Sequence, residues 1–301
     1  MRRCRTTDKT HDDAPIGIFD SGYGGLTVLK EIAFRLPQES TVFIGDSARC
    51  PYGPRDLDEV KRFTLQICSH LVSLGCKLIV IACNTATAAG LKAAQMAFDI
   101  PIVGVIEAGS RAAVHMTHTR RVGVIATEGT IKSNAYRDAI VNLDAGIEIH
   151  SKATPAFVEI AELGLKHENN TRRVNDRNIC ADTFGDDWEE YLRIANDYLV
   201  PLIDADIDTL VLGCTHFPII EPLISEVLGE SIHLVSSAEE TARDVASILE
   251  RRGALASGSS ATSHRFFTTS NATDEFAEFG ALVLGNEDIE VEHLDLPEYK
   301  G

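Results

Sequence analysis

From Pro15 onward, short apolar runs alternate with longer stretches of helical period. The runs are Ile16–Phe19, Thr41–Ile44, Leu78–Ala82, Pro101–Val105, Val122–Ala126, Thr209–Gly213 and Ile232–Val235. They are rich in Ile and Val with few polar interruptions, the pattern of strands buried on both faces in a parallel sheet. Between the second and third runs, Asp56 to Gly75 sets Leu57, Val60, Ile67, Leu71 and Leu74 on one helical stripe and closes on glycine. Strand, helix, strand, repeated, predicts an α/β chain.

The runs also repeat. Displaced by 131 positions, Ile79-Val80-Ile81-Ala82-Cys83 falls on Leu210-Val211-Leu212-Gly213-Cys214. One further step sets Ile100–Val103 on Ile232–Val235, and an offset of 106 sets Ile16–Phe19 on Val122–Ile125. Any single match of apolar strands is weak, but their common order predicts two related α/β halves. If a pseudo-two-fold axis relates them, the carboxyl ends of both sheets face one another across a cleft. Two stretches stand outside the duplication: a polar insert at about 167–190, and the Ser/Gly/Ala/Thr-rich segment Ala256–Ser263, which reads as a connection before a final strand and helix.

Charge and cysteine content narrow the field. With 28 Lys and Arg against 45 Asp and Glu, the formal charge is −17. Such a surface repels phosphate backbones and anionic lipid, so neither nucleic acid nor membrane is an expected partner. No apolar segment approaches the roughly 18 residues of a membrane span. Residues 1–13 are basic and then polar without an apolar core, unlike a secretory signal, and read as a loose N-terminal arm. Seven cysteines with no C-x-x-C pair argue against a disulfide framework or zinc ribbon and fit a reducing cytoplasm.

In open α/β sheets ligands bind beyond the carboxyl ends of the strands. There stand Asp20-Ser21-Gly22-Tyr23-Gly24-Gly25, Cys50-Pro51-Tyr52-Gly53, Cys83-Asn84-Thr85 and Cys214-Thr215-His216. Cys83 and Cys214 occupy equivalent places in the two repeats, each opening a helix whose N-terminal dipole favours thiolate. Cys68 and Cys76 lie on apolar faces, Cys4 and Cys180 in polar segments, and all four read as ordinary small side chains. Two thiols facing each other across a cleft can take a proton from one face of a carbon and return one to the other. Asn84, Thr85, Thr215, Ser21 and the helix-start amides can hold carboxylates. Asp20 and His216 are acid/base neighbours of the thiols, although Asp20 alone could be an N-cap. The glycine loop matches neither G-x-G-x-x-G nor a P-loop, and no metal-ligand spacing stands out, so no cofactor is expected.

Six ordered motifs resemble the glutamate racemases of bacterial cell-wall synthesis, within the cofactor-independent aspartate/glutamate racemase family. They are Phe19-Asp20-Ser21-Gly22-x-Gly24-Gly25-Leu26, Cys50–Gly53, Cys83–Thr87, Gly104-Val105-Ile106-Glu107, Ala126-Thr127-x-Gly129-Thr130-Ile131-Lys132-Ser133 and Leu212–Pro218. The resemblance spans about Pro15 to Gly285. It implies interconversion of L- and D-glutamate for peptidoglycan, with Cys83 and Cys214 as the acid/base pair and Asp20, His216 and Glu162 in support. It implies a substrate set of Asp20, Ser21, Pro51, Tyr52, Gly53, Asn84, Thr85, Thr130, Thr215 and His216. It further implies a discontinuous first domain of 14–108 plus 219–301, a second of 109–218, and a homodimer as an assembly to test. Departures are Thr154, where Cys is frequent, Ala108, where Pro is common, and the insert. The rival readings are an aspartate or other amino-acid racemase of the same fold, a cysteine-dependent hydrolase, a pyridoxal-phosphate racemase, which would need a Schiff-base lysine, and a non-enzymatic glutamate-binding protein.

Overall fold

The structure, a computed structural model, describes residues 12–168, 187–286 and 289–299. Most of the expected arm, and the insert from 169 to 186 with Cys180, lie outside the described residues. Among the described residues ten strands form two wholly parallel sheets. The first holds β1 (Ile16–Asp20), β2 (Thr41–Gly45), β3 (Leu78–Ile81), β4 (Ile102–Gly104), β9 (His264–Thr268) and β10 (Val291–His293), in the order β10-β9-β2-β1-β3-β4. The second holds β5 (Arg121–Ala126), β6 (Glu148–Ala153), β7 (Thr209–Gly213) and β8 (His233–Ser236), in the order β6-β5-β7-β8. The series β2-β1-β3-β4 and β6-β5-β7-β8 are the same arrangement twice, which is the duplication read in the sequence.

Why the runs are apolar throughout follows from the layers. Leu78 and Val80 face one core with α1 (Leu26–Arg35), α10 (Ser237–Arg252) and α11 (Thr273–Leu284). Ile79 and Ile81 face the other, with α2 (Leu57–Ser73) and α3 (Asn84–Ala97). Helix α2 begins where Asp56 Oδ1 accepts from the Asp58 and Glu59 amides, at 2.9 and 3.3 Å, and stops at Gly75, φ +78°. The second sheet is flanked by α4 (Val105–Met116), α5 (Glu128–Lys132), α6 (Ala135–Leu143), α7 (Ala156–Glu168), α8 (Trp188–Ile203) and α9 (Glu221–Leu228).

The expected domain limits shift. Strand β8 pairs with β7, Thr209 opposite His233 and Leu212 opposite Ser236, so the chain returns to the first sheet after Ser236 and not after Pro218. The repeat carries the reason: β8 is the counterpart of β4, and β4 lies beside β3 as β8 lies beside β7. Likewise the expected break at 108/109 falls inside the continuous helix α4, which packs on α6, β7 and β8. The connection 256–263 has no regular structure, turns at Gly258 (φ +68°), and is held by Asp13, whose carboxylate accepts from Ser257 and Ser260.

Candidate active site

Each sheet delivers one thiol to a common cavity of about 200 Å³, lined among others by Ser21, Pro51, Tyr52, Gly53, Cys83, Asn84, Thr85, Cys214, Thr215 and His216. That is below the roughly 300–1,000 Å³ of sites for drug-sized ligands and suits a small metabolite. Cys83 ends the β3 segment and caps α3: its Sγ accepts from the Ala86 amide at 3.4 Å and lies 3.6 Å from Ser21 Oγ. Burial, and then the nearby Asp20 carboxyl, push the Cys83 thiol up to about 12, against the opposing Ala86 and Ser21 contacts. Cys214 ends β7 and has a different neighbour, His216 Nδ1 at 3.8 Å. The far nitrogen of that ring, Nε2, approaches Glu162 Oε1 at 3.2 Å. Burial alone would lower His216, but the bonds to Cys214 and Glu162 outweigh it and raise the imidazole to about 10. One thiol therefore faces a neutral hydroxyl and the other an imidazolium.

Between the thiols the walls are mostly neutral. Asp20 is fully buried beneath them, accepting from the Gly22 amide at 3.1 Å and from Thr215 Oγ1 at 3.4 Å. Burial raises its carboxyl, while His216 acts in the opposite sense. Thr85 shares a triangle of hydroxyls with Thr127 at 2.9 Å and Thr130 at 3.1 Å, bridging the two halves. Gly129 N–H donates to Gly53 C=O at 2.8 Å beside it. Gly24 lies so close to Thr215 and His216 that a Cβ there would stand 2.5 Å from Thr215 Oγ1. A second hollow of about 400 Å³ shares Cys50, Pro51, Val158 and Glu159 with the first and carries Glu162 on its wall. Among the described residues no three His, Cys, Asp or Glu side chains converge as metal ligands would.

Residues 26–245 match the family model described as Asp/Glu/Hydantoin racemase. The chain belongs to that family. It is 42% identical to the glutamate racemase of Bacillus cereus over 281 residues, 93% of this chain and 97% of the relative. Among solved structures, a glutamate racemase isoform from Bacillus anthracis superposes with a TM-score of 0.84 at 41% identity, covering 96% of this chain and all of the other. A Francisella tularensis glutamate racemase in complex with D-glutamate gives 0.81 at 32% identity, with 96% and 100% coverage. The protein is thus a racemase, an isomerase by class. No described helix is long and apolar enough to cross a membrane.

Within this racemase the sequence-selected residues fall into three groups. Cys83, Cys214, Ser21, Pro51, Tyr52, Gly53, Asn84, Thr85, Thr215 and His216 line the cavity. Asp20 and Thr130 stand behind it, against Thr215 and Thr85 respectively. Glu162 stands outside that lining and reaches it through His216. The sequence reading passed over Asp46 and Tyr136. Fully buried Asp46 accepts from the Tyr52 phenol, from Arg49 Nε at 2.7 Å and from Thr269 Oγ1 at 2.8 Å. Its signal was available, a carboxylate directly after the second apolar run. Tyr136 gives no such signal, since an aromatic on an amphipathic helix reads as core.

Proposed function

We propose that this chain is a glutamate racemase, interconverting L- and D-glutamate in the cytoplasm and supplying the D-isomer to peptidoglycan. The observation that carries the reading is the convergence of two thiols, one from each repeated half, on one small cavity. The curated relatives at 40–46% identity over most of the chain support glutamate as the substrate.

In this reading one cysteine, as thiolate, removes the Cα proton and the opposite thiol returns a proton to the other face, so thiolate and thiol exchange places in each turnover. Cys214, beside the imidazolium of His216, works on L-glutamate, and Cys83 on D-glutamate. Asn84, Thr85, Ser21, Thr215 and the loop amides hold the two carboxylates with neutral donors. Asp46 fixes the Tyr52 phenol, leaving the apolar ring as wall.

L-glutamate incubated with the protein in deuterated water should lose optical activity while gaining deuterium at Cα. Cys83→Ser and Cys214→Ser should each cut racemisation by about 10²–10⁴-fold, the usual size of a positioned acid/base group. Full racemisation by either variant would refute the two-base reading. Loss of an activated amide instead of exchange at Cα would point to the hydrolase.

A further inference from the structure

The amide of Asn84 is 4% exposed, lies next to Cys83 in the chain and lines the cavity. Its two ends differ. Oδ1 accepts from the Tyr136 phenol at 2.7 Å, whereas Nδ2 is buried with no partner among the described residues. A buried NH₂ left unbonded costs free energy unless a ligand accepts from it. Tyr136 itself belongs to α6 of the second half, while Asn84 opens α3 of the first, so this bond crosses between the two. Ser237, the first residue of α10, stands beside the phenol: a Cβ on Gly109 would lie 3.1 Å from Ser237 Cβ and 3.4 Å from the Tyr136 hydroxyl. The ring is 3% exposed and seated against Gly109 and Gly213, so its hydroxyl has little freedom to turn elsewhere. Burial raises this phenol well above its ordinary value, and it remains a donor throughout the neutral range.

We propose that Tyr136 is a positioning residue for the reaction: seated against Gly109 and Gly213, it holds the Asn84 amide with its oxygen turned away and its NH₂ presented to a substrate carboxylate. Without the phenol, Oδ1 loses its partner and the amide can turn, setting an acceptor against an anion. The inference rests on the proposed glutamate reading and takes the carboxylate that Asn84 meets to be the side-chain one, away from the breaking C–H bond. Such a contact is equal in ground and transition states, so its loss raises KM and leaves kcat nearly unchanged.

The test is a double-mutant cycle on the full chain, with Tyr136→Phe, Asn84→Ala and their combination, followed by steady-state racemisation of L-glutamate and by thermal melting. Tyr136→Phe keeps the ring and should raise KM roughly tenfold to a hundredfold, the scale of orphaning a buried polar group. In the Asn84→Ala background the same change should add less than about twofold, since the hydroxyl then has nothing to orient. A mere folding role would lower the melting temperature and act equally in both backgrounds, so a fold defect does not mask the result. An unchanged KM in Tyr136→Phe, or an equal loss in both backgrounds, overturns the positioning role alone. A wild-type chain that does not turn over glutamate overturns both the role and the reading beneath it.

Discussion

His216 holds a proton between a thiol and a carboxylate, and that placement has a thermodynamic signature. In the unfolded chain the imidazole titrates near 6.5; in the fold the contacts with Cys214 and Glu162 raise it to about 10 in spite of burial. A group that binds its proton more tightly when folded stabilises the fold fully below the lower value and loses that contribution as pH climbs through the upper one. Stability should therefore decline between pH 6.5 and 10, and His216→Asn should flatten that decline. Urea denaturation across this window checks it, and identical slopes for the two proteins would contradict the assignment. At this scale the sequence is informative wherever a residue type carries chemistry at a strand end, as at Cys83, Cys214 and His216. It is silent on Tyr136, whose importance comes from a partner 52 positions away.

Loops and helix starts from both halves make the cavity walls, and at one point the contact is backbone on backbone. A Cβ added at Gly129 would stand 2.7 Å from the Gly53 carbonyl oxygen and 3.1 Å from Thr85 Cγ2. The carbonyl cannot swing aside without breaking the bond it accepts from the Gly129 amide. Gly129→Ala should therefore part the two loops, at a cost of about 1–3 kcal/mol, and raise KM for glutamate. Melting and steady-state kinetics read the two effects, and wild-type values for both would show that this wall does not depend on the close approach. Among the elements, the central strands were legible because burial on both faces leaves no room for polar residues. Strand β6, Glu-Ile-His-Ser-Lys-Ala, was not, since it is an edge strand whose side chains are half-buried or exposed. The three-residue β10 is another edge. The return of the chain to the first sheet is not legible in the motifs, because it depends on the pairing of Ile232–Val235 with β7, and an apolar run does not name its neighbour.

For the molecule as a whole, charge and site pull against one another. The chain carries −17, and among the described residues no Lys or Arg lines the thiol cavity. An anionic substrate is thus repelled at long range and held at short range by neutral donors. Raising ionic strength from low to physiological should leave KM for glutamate unchanged or lower it, because salt screens the repulsion and the His216 imidazolium on the wall is already paired with Glu162. A KM that climbs steeply with salt would require a cationic anchor outside this cavity. The order of strands has its own consequence, one that concerns a chain still leaving the ribosome. The second sheet is contiguous in sequence, whereas the first is interrupted and takes β9 beside β2 only after some 160 residues have intervened between β4 and β9. Until His264–Thr268 emerge, the β2 edge, Thr41 to Gly45, is an unpaired ladder of apolar residues, the kind of template on which chains aggregate. Synthesis proceeds at about 5–20 residues per second, so with about 220 residues between β2 and β9 the nascent protein carries that open edge for about 10–45 s, and a ribosome stalled just before residue 264 would hold it there.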